Sequence, residues 1–208
     1  MKIPRQEPRD SNAPSIDFNP SVATHNAVCV GGWYCGEFPP FKEGGRNKHA
    51  FVVMFEVDEI IEAPGAEAFH GKRKTIVKEW NIRTWNEGST FFKDVVGWLG
   101  RELTDMQLEN FNGYTLRGIP AMVGVIHNTG ADGKQYANIT NIVYPPRGMP
   151  PMTVLRNMVA PEWIIKKIDK SCSNSLEKIK LKNFALDPGG VGSPQDVYAP
   201  NPDDDCPF

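Results

Sequence analysis

The run HAFVVMFEVDE, residues 49–59, sets Phe51, Val53, Phe55 and Val57 on one side of an extended chain. Successive side chains of a strand point to opposite sides, so a period of two marks a strand with a core face, and the rest of the chain has to cover that face. Upstream, HNAVCVGGWYC reads as another strand, interrupted at Gly31-Gly32, where a glycine pair marks a bulge or a sharp bend. GEFPPFKEGGRNK follows as a loop. Downstream, GKRKTIVKEWNIRTW is rich in β-branched and aromatic residues and long enough for a bent third strand.

At Ser89 the period changes. Ser89 is placed to cap STFFKDVVGWLG, in which Phe91, Val95, Trp98 and Leu99, joined by Phe92 and Val96, form a broad apolar helical face that stops at Gly100. Thr104 with Gln107 matches a capping box and Leu103 with Leu108 a hydrophobic staple, which predicts a second short helix from Thr104 to before Asn112-Gly113. GIPAMVGVIHN and KQYANITNIVY then read as strands joined by TGADG, a hairpin through Asp132-Gly133. This order closes most economically as a mainly β, five-stranded OB-fold barrel with a helix between strands 3 and 4. Another small barrel or sandwich capped by one helix is the alternative.

A chain of 208 residues holds one substantial core plus appendages. Residues 1–22, polar and rich in Pro, Asn and Ser, read as a flexible leader, and residues 23–150 as the barrel. Residues 151–186 form a short helical extension: Pro161 opens a basic amphipathic helix with Trp163, Ile164, Ile165 and Ile168, while LEKIKLKNF alternates like a strand or continues a helix. Residues 187–202 are a Gly/Pro/Ser-rich linker with a span of roughly 20 to 25 Å by random-coil scaling. Residues 203–208, DDDCPF, form an acidic tip.

The formal charge of −2 points to no partner, but residues 72–83 carry five basic side chains against one Glu, while Asp203, Asp204 and Asp205 are purely acidic. No GxxxxGK[ST], GxGxxG, GxSxG or HExxH occurs, and His25, His49, His70 and His127 are scattered. Cys29, Cys35, Cys172 and Cys206 form no CxxC pair. The expectation is therefore a protein that is no enzyme and holds no metal or cofactor. The beginning, MKIPRQEPRDSNAPS, has charges and prolines where a signal peptide needs an apolar stretch, and no apolar run approaches bilayer length. A reducing, cytoplasmic setting is expected.

Three groups mix aromatic rings with cations. Trp33, Tyr34, Phe38 and Phe41 stand with Lys42, Arg46 and Lys48; Trp80 and Trp85 with Lys72, Arg73, Lys74, Lys78 and Arg83; Tyr136 with Lys134. Single-stranded nucleic acid needs this mixture, because cations track the phosphates and flat rings stack on bases. Trp98, Phe91, Phe51 and Phe55 lie on periodic apolar faces and are expected in the core. Phe38 and Phe41, in a Pro/Gly-rich loop beside Lys42, are poorly placed for one. Tyr136 is expected outward, since Ala137, Ile139 and Val143 should take the inner face. The alternation does not decide which of Trp80 and Trp85 points out.

DDDCPF closely resembles the acidic tip of bacterial single-stranded DNA-binding proteins, where aspartates lead into apolar-Pro-Phe after a flexible linker. Residues 24–146 are similar to phage-encoded single-stranded DNA-binding proteins with one OB domain, through FEVDE, GKR, FFKDVVGWLG and GKQYANITNIVYP. The resemblance implies a sequence-independent protein that coats single-stranded DNA in a bacterial cell, phage-encoded or cellular, and recruits replication, recombination and repair proteins. It implies that Phe208 anchors in an apolar pocket, Pro207 restricts the approach, and Asp203, Asp204 and Asp205 steer association. Cys206 departs from the bulkier aliphatic residue usual there. One OB domain covers about 4 to 16 nucleotides, so tight coating needs self-association or several domains. The helix near Trp163 is suited to oligomerisation or to a longer DNA path. The alternative function is an interaction or inhibitor module that competes for host proteins through its acidic end, although the basic stretch 72–83 argues against imitation of DNA.

Overall fold

The computed structural model describes residues 18–40, 43–62, 67–82, 88–104, 113–131, 133–157 and 159–186. Its elements are β1 (Thr24–Phe38), β2 (Lys48–Ile60), β3 (Arg73–Ile82), α1 (Thr90–Leu99), β4 (Pro120–Thr129), β5 (Gln135–Val143), α2 (Glu162–Asp169) and α3 (Ser175–Leu186), with short 3-10 turns at Glu67–Phe69 and Gly113–Leu116. The second short helix expected after Thr104 falls outside the described residues.

The strands form one antiparallel sheet in the order β3-β2-β1-β4-β5. β1 is its hinge. Its first residues pair with β4, from Thr24 opposite Gly124 to Val28 opposite Pro120, and from Ala27 onward it pairs with β2. The register with β2 shifts between Cys29 and Gly31, a bulge beside the glycine pair. The sheet is open: no backbone ladder joins β3 to β5 among the described residues. These two edges nevertheless lie side by side, and Lys78 Nζ donates to the Ile139 carbonyl across the gap at 3.1 Å.

α1 forms where the period changes. Ser89 Oγ accepts the Phe92 N–H, and Gly100, at φ 68°, ends the helix by donating its N–H to Val96. Phe91, Phe92, Val95 and Trp98 enter the core formed by the inward residues of all five strands, including the expected Phe51 and Phe55. Phe91 meets Phe51 and Trp80 edge-on, and Trp98 meets Phe55. In this core Trp80 donates its N–H to Asp94 Oδ2 at 2.7 Å and Trp98 to the Pro120 carbonyl at 2.9 Å. In β5 a bulge around Thr140 reverses the alternation, so Ile142 is buried and Val143 exposed, a correction to the inward position expected for Val143.

A second core lies on the opposite face of β1 and β2. Val30, Trp33, Cys35, Ala50, Val52 and Met54 point there, covered by Ala160, Ile164, Ile168 and Ala185 of the C-terminal part. The β1–β2 hairpin is thus buried on both faces, and residues 151–186 complete the core. α3 settles the open reading of LEKIKLKNF: Asn174 Oδ1 accepts the Glu177 N–H at 2.9 Å, an N-cap that commits the segment to helix.

The connecting chain is pinned by Glu56, a carboxylate only 1% exposed on the outward side of β2. Its Oε2 accepts the Leu155 N–H at 3.0 Å, Arg156 Nε lies 3.3 Å from Oε1, and Arg73 Nη1 lies 3.7 Å from Oε2. Arg73 also donates to the Thr153 carbonyl and Arg156 to the Arg73 carbonyl. A buried carboxylate is tolerated only with such partners.

Gly36 sits where β1 meets the α2–α3 connection. Its φ of 96° disfavours any side chain, and an added Cβ would stand 2.8 Å from both Ser171 Oγ and Ser173 Oγ. Gly36→Ala is expected to cost roughly 1 to 3 kcal/mol of strain and clash. Urea unfolding checks this through a lower midpoint at unchanged slope.

Before β1, the Ser21 N–H and the Lys74 ammonium both bond Glu59. Burial raises the Glu59 carboxyl, but these partners outweigh it and hold it below the ordinary carboxylate range. A depressed folded value gives stability that is present at neutral pH and lost as pH falls through that value. The stability gap between the wild type and Glu59→Gln is therefore expected to be full at pH 7 and to close below about pH 4, as read by urea melts across that range.

Candidate nucleic-acid interface

The three aromatic-cationic groups share an arrangement only in part. Trp33 is 1% exposed and Trp80 5%, so both rings are removed from the candidate surface: one packs under α2 and α3, the other against α1. Phe38 is half-buried against the second core with Lys167 Nζ over its ring at 5.3 Å, which corrects the expectation that it lies free in a loop. Tyr34 packs partly into the first core, with its hydroxyl 2.7 Å from His49 Nδ1. Burial, followed by the nearby Glu177 and Glu37, pushes that phenol up to about 12.

Several of the cations are tied into the fold. Arg73 is held by Glu56 and Thr153, Lys74 by Glu59 and the Asn19 carbonyl, and Lys78 by the Ile139 carbonyl. Arg46, Lys72, Lys134 and Tyr136 are exposed, the last by 46%, and Lys48 is half-buried. Phe41, Lys42, Arg83 and Trp85 lie outside the described residues, as do Asp203, Asp204, Asp205, Cys206, Pro207 and Phe208.

The seam between β3 and β5 relates the exposed groups. Asn19 accepts from Lys74 at the start of β3 and donates to the Gln135 carbonyl at the start of β5, 3.3 Å away. That bridge brings Lys72 and Lys74 to the same end of the seam as Lys134 and Tyr136. Lys72 Nζ lies 5.0 Å from the Phe69 ring centre. Lys78 spans the middle. At the far end His49 pairs with Ile82, which brings the chain from Arg46 to Lys48 beside the end of β3.

There a cleft of 540 Å³ opens between β3 and the start of α1, lined by Lys78, Trp80, Asn81, Ser89, Thr90 and Asp94 among others. Its size falls within the roughly 300 to 1,000 Å³ of small-ligand sites. Together these features make a run of cations with exposed rings, Phe69 and Tyr136 among them, along the seam, able to hold an extended polyanion with an aromatic or amide contact to flat groups.

The sequence reading overlooked Glu56, Arg156 and Asn19, which build this surface without lining it. For Glu56 a signal existed. Ala50, Val52 and Met54 make the second face of β2 apolar as well, which is the mark of a strand covered on both sides.

Cys29 and Cys35 are buried thiols, and burial pushes the Cys35 thiol up to about 12. Among the described residues no group of histidine, cysteine and acidic side chains is placed to hold a metal ion, and no helix is long and apolar enough to cross a membrane. No protein-family model matches the chain, and no curated protein sequence matches it.

Proposed function

We propose that this protein is a sequence-independent single-stranded DNA-binding protein built on an OB-type barrel. In this reading it coats and protects single strands and recruits replication, recombination and repair proteins through residues 203–208. The observation that carries the proposal is the seam. Lys78 spans the junction of β3 and β5, and Lys72, Lys134 and Tyr136, far apart in sequence, stand near one end of it. The strand order, the near-contact of the edge strands and the helix between β3 and β4 support the OB-type reading of an incompletely closed sheet.

OB folds use the face of strands 2 and 3 with the flanking loops. On β2 that face is occupied by α2, α3 and the chain around Leu155. The bound strand is therefore assigned to β3 and the seam, with Arg46 and Lys48 at one end and Tyr136 at the other. Partner docking by the acidic segment rests on its resemblance to the tips of such proteins and on charge-assisted recognition of carboxylates by Arg or Lys.

A competition experiment tests the class of ligand. Labelled oligo-dT bound to the full chain should be displaced by unlabelled oligo-dT and by mixed-sequence single strands with similar potency, and only weakly by duplex of equal length. Equal displacement by duplex would reject the proposal, since a purely electrostatic surface has no means to prefer splayed bases.

A further inference from the structure

We infer that residues 18–21 are a clasp that closes the β3–β5 seam. These four residues touch every strand of the sheet. The Phe18 ring packs edge-on against Phe69, 5.4 Å between centres, in the turn that leads to β3. The Asn19 carbonyl accepts from Lys74 of β3 at 2.9 Å, and the Asn19 amide donates to Gln135 of β5. The Pro20 carbonyl accepts from His127 Nε2 of β4 at 2.7 Å. The Ser21 carbonyl accepts from His25 Nε2 of β1 at 2.9 Å, and its N–H donates to Glu59 of β2 at 2.8 Å.

The physical need for such a device is clear. β3 and β5 each present an edge, and unprotected edges pair with whatever strand they meet. The ladder that would close the sheet is missing among the described residues, where the Lys78–Ile139 bond is one side-chain attachment between the two edges. Asn19 adds another attachment, at the other end of β3 from the cleft, and the bonds from Pro20 and Ser21 hold Asn19 in place. Side chains and one short segment thus do the work of a backbone ladder. Bonds of this kind break one at a time, so the seam opens while β1 and β2, buried on both faces, stay paired.

If the proposed function holds, the clasp also sets the distance between Lys78 on β3 and Tyr136 on β5; that consequence rests on the previous section, whereas the clasp itself does not. Hydrogen exchange followed by mass spectrometry, on the full chain without nucleic acid, tests it. The double variant Asn19→Ala/His127→Ala should exchange about tenfold faster in β3 and β5 while β1 and the β1-facing residues of β2 keep their protection. The single variant Asn19→Ala, which removes the side-chain link to Gln135 and keeps the carbonyl that accepts from Lys74, should show the same pattern more weakly. Unchanged exchange in both variants, or an equal acceleration in all five strands, would overturn the inference.

Discussion

A chain ending at residue 150 is expected to lose its cooperative fold. In the sequence, residues 23–150 read as an independent unit, yet truncation there strips Ala160, Ile164, Ile168 and Ala185 from Val30, Trp33, Val52 and Met54. Each large side chain returned to water forfeits about 1.5 to 3 kcal/mol. Removing Leu155 and Arg156 also leaves Glu56 without two of its partners, and breaking a buried ion pair costs about 3 to 5 kcal/mol. The sum rivals the whole stability of a domain, about 5 to 15 kcal/mol. Circular dichroism melts and size-exclusion chromatography should show an aggregating chain without a sharp transition. Ile164→Ala in the full chain should be milder, about 2 to 5 kcal/mol, with the fold retained. A truncated chain that melts like the full protein would show that α2 and α3 are accessories to the five-stranded sheet.

Tyr136→Ala combined with Lys134→Ala should weaken oligo-dT binding by about ten- to a hundredfold, because one stacked base contributes about 1 to 3 kcal/mol. Both side chains are exposed, so the melting temperature should stay within a degree or two of the wild type, as surface changes of about half a kcal/mol require. Losing one phosphate contact should also flatten the salt dependence by about 0.7 in log–log slope. Trp80→Ala serves as the contrast. Its ring is in the core and its N–H on Asp94, so it should lower stability first and binding only as a consequence. Fluorescence anisotropy with parallel thermal melts separates the two cases. Unchanged affinity in the double variant would remove Tyr136 and the mouth of the seam from the ligand path.

The period of two in residues 49–59 and the change to a helical period at Ser89 were legible because one local rule decides each: side-chain alternation for β2, a capped apolar face for α1. Gly31-Gly32 gave away the bulge in β1 for the same reason. What stayed hidden depends on contacts between distant segments. Trp33 and Phe38 looked available for stacking because their covering residues, Ile164, Ile168 and Lys167, come about 130 positions later. Arg73 and Lys74 read as free cations until the fold brought Glu56 and Glu59 beside them. Tyr136 was placed correctly outward, although the bulge at Thr140 reversed Val143 in the same strand.

Titrating labelled oligo-dT with the full chain and with a chain lacking residues 203–208, each at low and high salt, tests single-strand binding. Cations that release counterions make binding tight at low salt and much weaker at high salt. This dependence is expected for both chains, with equal or tighter binding after the acidic segment is removed, because the proposed function puts DNA on the seam and assigns residues 203–208 to partner proteins. Absence of binding by either chain at low salt would contradict it and favour the interaction module.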